Sequence, residues 1–203
     1  MIPASEQQWL EARGNLFLQW MRNFLFVIGA LAISYVALTL IHARLYQETA
    51  GDALDIQMNA TEQHKSSLPR TAPREGDVLG RIEIPRLGMK VVILEGTTSQ
   101  TLRLGVGHIG GTATPGEPGN IGVAGHRDTF FRGLKDIRVS DEIQIQTATG
   151  LSRYEVDKVQ IVDPGDVGVL AQSAGSAITL VTCYPFHYVG AAPKRCVVHA
   201  HKQ

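Results

Sequence analysis

The most apolar segment of the sequence lies near the N-terminus. Phe24 to Ile41 forms an uncharged run of 18 residues. A helix of that length measures about 27 Å, close to the roughly 30 Å hydrocarbon core of a bilayer. A cleaved signal peptide is the alternative, but 23 residues precede the run and no A-x-A-type site follows it. The run therefore predicts a transmembrane anchor at 24–41, after an N-terminal segment at 1–23.

Charge around the apolar run gives an orientation. Arg13, Arg22 and the α-amino group precede it, whereas only Arg44 follows closely. The excess of positive charge before the span predicts a cytoplasmic N-terminus, with the remainder of the chain on the extracytoplasmic side. Residues 42–77 are polar and contain Pro69 and Pro73. This composition predicts a stalk or linker, helical near the membrane and extended around the prolines.

Residues 78–203 show short apolar runs with a period of two. Ile82 and Ile84 alternate with charged residues, and Ile143 and Ile145 alternate with glutamines. Successive strand side chains point to opposite faces, so this alternation predicts half-buried strands. Seventeen of the 21 glycines lie here, as expected where there are many turns. The pattern predicts an all-β domain, either a small closed barrel or a sandwich.

Two local departures from alternation refine this domain. The apolar phase slips near Asp157 and Lys158, which predicts a bulge or turn. Short helices are expected at Ser99–Leu104 and Asp128–Leu134. No internal repeat is evident.

Composition and motifs exclude several classes of function. The formal net charge is zero, which argues against a broadly basic nucleic-acid-binding surface. Two cysteines cannot form a disulfide-dense scaffold. The chain has no C-x-x-C, H-E-x-x-H, P-loop or G-x-S-x-G motif. We therefore expect no cofactor and assign no metal site.

Cys183 is the candidate nucleophile because it ends a strand-like run, 177–183, where a loop begins. Thiolate is the reactive form of cysteine, and a nearby cation favours it. Arg195 opens the final strand-like run 12 residues later. If the two runs pair, thiol and guanidinium share one face, while Cys196 points to the other. This arrangement argues against a Cys183–Cys196 disulfide. The alternatives are a buried structural cysteine and a surface ion pair for Arg195.

His126 is the candidate acid/base among seven histidines. It ends the apolar run 120–126, a position that mirrors that of Cys183 at the end of its own run. A lone histidine is more often a structural group, so position alone leaves this choice open.

These residues resemble the sortases, membrane-anchored cysteine transpeptidases of the bacterial envelope. The most specific match is Thr179–Cys183 (TLVTC), followed by Arg195 at the expected separation. The segments GRIEIP at 80–85, PGEPGN at 115–120 and GHR at 125–127 also resemble sortase segments. The run CYPFHYVGAAPKR is most similar to the class D branch. The resemblance covers about residues 80–200.

The resemblance implies a closed eight-stranded β-barrel and a reaction. Cys183 is expected to attack a Leu-Pro-x-Thr-Gly or Leu-Pro-x-Thr-Ala sorting signal of a surface protein and form a thioester. His126 then serves as general acid/base, Arg195 steadies the substrate and the oxyanion, and Thr182 lines the site. The acceptor is expected to be an amine of a peptidoglycan precursor or a pilin lysine.

Tyr184, Phe186 and Tyr188 follow the cysteine in the loop 184–192. They are candidates for the wall of a peptide groove, and packing within the loop is an equally good interpretation. Two other functions remain open: an endopeptidase that uses water as acceptor, and a non-catalytic, membrane-tethered interaction module. Papain-like enzymes have the cysteine before the histidine, and the caspase motif Q-A-C-x-G is absent, which argues against those protease families.

Overall fold

The computed structural model describes residues 4–63, 72–173, 175–188 and 190–203, with side chains in the first range at 18–51. The chain forms two compact units that divide between Arg44 and Leu45. Helix α1 spans Ala4–Gln63.

The membrane-span prediction falls on this helix. Its segment Leu18–Gly51 contains an 18-residue window with a mean hydropathy of 2.5, none of it buried. Side chains such as Phe26 and Ile33 are 70% and 73% exposed. Among the residues the structure describes, this is the one helix long and apolar enough to cross a bilayer.

The second unit contains a closed barrel of eight strands. The strands are β1 (Val78–Ile84), β2 (Met89–Glu95), β3 (Val106–His108), β4 (Asn120–Gly125), β5 (Glu142–Thr147), β6 (Gly150–Val162), β7 (Ala177–Tyr184) and β8 (Lys194–Lys202). They close in the order β1-β2-β3-β4-β7-β8-β6-β5. Pairs β2–β3 and β4–β7 are parallel, and the others are antiparallel. The all-β prediction is confirmed, and of the two architectures left open the structure has the barrel.

Alternating side chains fill the barrel interior, as the period of two predicts. Ile82 and Ile84 of β1 and Ile143 and Ile145 of β5 are at most 1% exposed. They pack with buried residues of the remaining strands, including Ile121, Val123, Ile178, Leu180, Val198 and Ala200. The ladder between β6 and β8 shifts register between Val156 and Lys158, so the predicted bulge is confirmed.

The connections contain little regular helix. Helix α2 is the single turn Thr101–Leu104, within the predicted segment. The other predicted helix is replaced by turns and a 3-10 helix at Arg132–Asp136. Further 3-10 turns lie at Pro85–Leu87 and Val167–Leu170, where the sequence predicted none. Short 3-10 pieces close tight connections that alternating apolar patterns do not encode.

Part of the predicted stalk is attached to the barrel. Helix α1 continues through residues 42–63, and the side chain of Gln47 forms hydrogen bonds with the backbone of β2 and of α2. Its Oε1 accepts from the Val92 amide at 2.8 Å, and its Nε2 donates to the Leu104 carbonyl. Ala50 is 9% exposed against Val92 and Leu94. Pro69 lies outside the described residues.

Candidate active site

The strand register brings the three predicted catalytic residues to neighbouring strand ends. Cys183 of β7 is the direct cross-strand partner of Arg195 in β8. On its other side β7 pairs in parallel with β4, where Gly125 is opposite Thr182. His126 directly follows Gly125, so it lies one step further along, at the level of Cys183. Strands β4, β7 and β8 are adjacent, and the three residues therefore form one row across the barrel wall.

Two buried side chains, Thr182 and Phe131, fix the backbone of Gly125, the residue before His126. Thr182 is 2% exposed, and its Oγ1 donates to the Gly125 carbonyl at 2.7 Å. A Cβ on Gly125 would lie 2.7 Å from the ring of Phe131, which is itself fully buried. The ring and the hydroxyl together hold the end of β4, while the side chain of His126 is exposed. Thr182 thus contacts the strand end that presents the histidine.

The two cysteines lie in different environments. Both are free thiols, and Cys183 is half-buried at the mouth of the loop. Cys196 is 2% exposed, and burial raises the pKa of its thiol to about 11. Cys196 is opposite Thr182, one position out of step with the Cys183–Arg195 pair. The two thiols therefore point to opposite faces of the barrel wall.

The guanidinium of Arg195 is held by its own loop. Its Nη1 donates to the carbonyls of Lys194 at 2.9 Å and Ala192 at 3.2 Å. The neighbouring Lys194 forms an ion pair with Asp163 at 2.7 Å. Arg195 is half-buried, and its planar fork has five N–H donors. Donors remain for a substrate carbonyl beside Cys183.

Arg127 is a residue of the site that the sequence reasoning left without a role. It is 7% exposed and donates to three backbone carbonyls of the loop after β7. The acceptors are Pro185 at 2.9 Å, Tyr188 at 2.6 Å and Gly190 at 3.2 Å. The guanidinium carbon also lies 5.9 Å from the centre of the Tyr188 ring. Because Arg127 directly follows His126, these charge-assisted hydrogen bonds tie the loop after β7 to the end of β4. In the sequence, the one indication that Arg127 belongs to the site is its place in the GHR segment.

The loop aromatics have distinct positions. Phe186 packs against the barrel core, and Tyr184 meets its ring edge-to-face with centroids 6.0 Å apart. Tyr188 is 45% exposed. Phe186 therefore anchors the loop, whereas Tyr184 and Tyr188 have accessible surface.

A polar cluster lies on the outer face of the same strands, four residues before the cysteine. The hydroxyl of Thr179 donates to Asn120 Oδ1 at 2.9 Å and lies 3.1 Å from His199 Nδ1. Nε2 of His199 lies 3.0 Å from the amide nitrogen of Gln160. Burial, and then the charge of Lys158, lower the pKa of His199. These residues line a cavity of about 420 Å³ beside the connection from β6 to β7.

His108 is held inside the fold by two neighbouring groups. His108 is 4% exposed, with Nδ1 2.9 Å from Glu95 and Nε2 3.1 Å from the Ala113 carbonyl. Within the described part of the chain, no group of three or more His, Cys, Asp or Glu residues is placed to hold a metal ion.

Comparison with known proteins places this geometry in a family. The Sortase domain family model matches residues 82–203. Sortase D of Bacillus subtilis (strain 168) is 37% identical over 142 residues, which cover 70% of this chain and 71% of that protein. The structure of a Clostridium perfringens sortase D5 transpeptidase matches with a TM-score of 0.63 and 29% identity, over 79% of this chain and 97% of that one. Sortase C of Clostridium perfringens, solved with the C-terminal cell wall sorting motif, matches with a TM-score of 0.60 and 26% identity, over 77% and 90%.

The matched region contains the whole barrel beyond the first residues of β1, including all three strand ends of the row. Sortases are cysteine transpeptidases that act on sorting signals. The chain belongs to the sortase family, and it resembles the class D branch.

Proposed function

We propose that this chain is a membrane-anchored transpeptidase in which Cys183 forms a thioester with a Leu-Pro-x-Thr-Gly/Ala-type sorting signal. The register that pairs Cys183 with Arg195 and sets His126 beside them carries the proposal. A thiol, an imidazole and a guanidinium at adjoining strand ends are the groups that acyl transfer through a thioester needs.

In the first half-reaction the thiolate of Cys183 attacks the threonine carbonyl while His126 is protonated. The C–S bond forms, the C–N bond to glycine or alanine breaks, and His126 gives its proton to the departing amine. Acid/base help of this kind supplies roughly 10²–10⁴-fold. Arg195 donates to the oxyanion, and such a donor is worth about 2.7–4 kcal/mol.

In the second half-reaction an amine attacks the thioester. The amine loses a proton to His126, its nitrogen bonds to the threonine carbonyl carbon, and Cys183 regains its electron pair as the C–S bond breaks. The acceptor is an amine of the envelope, from a peptidoglycan precursor or a pilin lysine. Tyr184 and Tyr188 contribute to the groove wall around the reacting bond. Helix α1 anchors the enzyme, with the N-terminus in the cytoplasm and the barrel outside.

The test uses the full-length protein in detergent micelles with a panel of sorting peptides. We expect a mass increase on Cys183 equal to the acyl portion of one peptide, and a transfer product when an amine is added. Hydrolysis with no transfer, in the presence of every amine tried, would identify an endopeptidase. If no peptide gives an adduct, an interaction module becomes the better interpretation.

A further inference from the structure

A cavity of about 360 Å³ lies between the segment after β4 and the loop after β7. One wall consists of Arg127, Asp128, Arg132 and Lys135, and the other of Phe186–Tyr188. Both walls begin within three residues of a proposed catalytic group, since Arg127 follows His126 and Phe186 is the third residue after Cys183. We refer to it as the Arg132 cavity.

The two walls of the Arg132 cavity are joined by a buried contact. Arg127, on the first wall, donates to the carbonyls of Pro185, Tyr188 and Gly190 on the second. Phe186 fixes the base of the second wall by packing on the barrel core. These contacts hold the cavity open before any ligand is present.

The lining of the cavity has unbalanced positive charge. Asp128 lies 3.5 Å from Arg127, and Lys135 forms an ion pair with Asp136 at 3.1 Å. Arg132 is exposed and has no side-chain hydrogen bond or ion pair within the part of the chain that the structure describes. A guanidinium with free donors matches a carboxylate, which it binds through two parallel N–H···O bonds.

The position of the cavity fits the amine rather than the acyl substrate. Strand β7 runs from Ala177 to Tyr184, so most of its outward residues precede Cys183, whereas the loop residues that line the Arg132 cavity follow it. His126 must protonate the leaving amine and deprotonate the incoming one, so both amines occupy the same place. An acyl chain that lies along the outer face of the strands, with only its reacting end beside Tyr184 and Tyr188, leaves the rest of the cavity free for that amine.

We propose that the Arg132 cavity binds the acceptor and selects amines that have a carboxylate within the length of a dipeptide from the reacting nitrogen. The proposal rests on the transpeptidase function proposed above. Arg132 binds the carboxylate and Lys135 adds to the local positive potential, while His126 takes the amine proton.

Glycylglycine and glycylglycinamide are matched acceptors for the test, because they differ in the terminal charge and have the same nucleophilic group. The full-length protein in micelles is first acylated with a peptide from the panel. The ratio of the two transfer rates, each extrapolated to low acceptor concentration, then measures the preference for the carboxylate. We expect glycylglycine to be favoured about tenfold, near the lower limit for a hydrogen bond to a charged group, because Arg132 is exposed.

Substitutions of the lining residues test whether the preference for the carboxylate arises in the Arg132 cavity. Arg132→Gln should reduce the ratio about fivefold, Lys135→Gln about twofold, and Arg132→Glu should favour the amide. Arg103→Gln, an exposed arginine on α2, is the matched control and should leave the ratio unchanged. Because the result is a ratio within one variant, a partial loss of folded protein does not alter it.

Equal use of the two acceptors by the wild-type protein, or an unchanged ratio in both Arg132 variants, would overturn the proposal. Neither result affects the transpeptidase assignment, which fails only if no thioester forms.

Discussion

The two faces of the β7–β8 ladder differ although they are built from the same two strands. The inward side chains, such as Leu180, Cys196 and Val198, are almost fully buried; most of them only pack, and Thr182 at the strand end also bonds to the Gly125 carbonyl. The outward side chains Thr179, Cys183 and Arg195 are polar or reactive. The partners of Thr179 and Arg195 come from another strand and from the loop before β8. A shift of one residue in the register of a strand would move its inward side chains to the outer face and its outward ones to the core, because strand side chains alternate. The same alternation that builds the core thus decides which cysteine can react.

The largest expected effect is on the reaction itself. Cys183→Ala should abolish thioester formation, a loss of about 10⁴-fold or more, because no other outward thiol is present. His126→Ala and Arg195→Ala should each lower the acylation rate about 10²–10³-fold. Cys196→Ala, the inward control, should retain at least about a third of the wild-type rate. Peptide cleavage followed by mass spectrometry measures all four, and equal losses in the two cysteine variants would remove the distinction between the faces.

Two threonines of β7 compare the inward hydroxyl at the strand end, Thr182, with an outward hydroxyl further back along the strand, Thr179. Thr182→Val removes the hydroxyl that holds the Gly125 carbonyl, so His126 loses a support and the acylation rate should fall about tenfold. Thr179→Val leaves Asn120 and His199 without their shared partner. It should lower the free energy of unfolding by about 1–3 kcal/mol, with little change in the rate of the folded enzyme.

Acylation kinetics and urea unfolding distinguish these outcomes. A rate loss in Thr179→Val larger than that in Thr182→Val would show that the polar cluster, rather than the strand end, supports the chemistry.

The smallest effect concerns Cys196 at alkaline pH. Burial raises the pKa of its thiol from 9.0 to about 11. Between those values the unfolded thiol ionises while the folded thiol keeps its proton, so the stability contributed at lower pH is lost as pH rises. The free energy of unfolding should fall by at most about 1.4 kcal/mol per pH unit more in the wild type than in Cys196→Ala. Urea unfolding followed by circular dichroism from pH 8.5 to 11 measures this difference; parallel curves would contradict the assignment.

The sequence predicted the features that depend on local alternation. The barrel strands, the slip near Lys158 and the opposition of Cys183 to Arg195 all follow from a period of two and the positions of strand ends. Arg127 could not be assigned in this way, because its carbonyl acceptors lie 58–63 positions away. The contact of Gln47 with β2 could not be predicted for the same reason, because a polar helical segment does not indicate which strand it will contact.

The close approach of Gly125 to Phe131 restricts the substitutions that these two positions can accept during evolution. A methyl group at 125 would overlap a ring that has no room to retreat, since Phe131 is fully buried. Alanine at 125 is therefore compatible with the fold only when a smaller side chain stands at 131. We expect the two positions to vary as a pair, and a library that randomises one of them alone would find few working sequences.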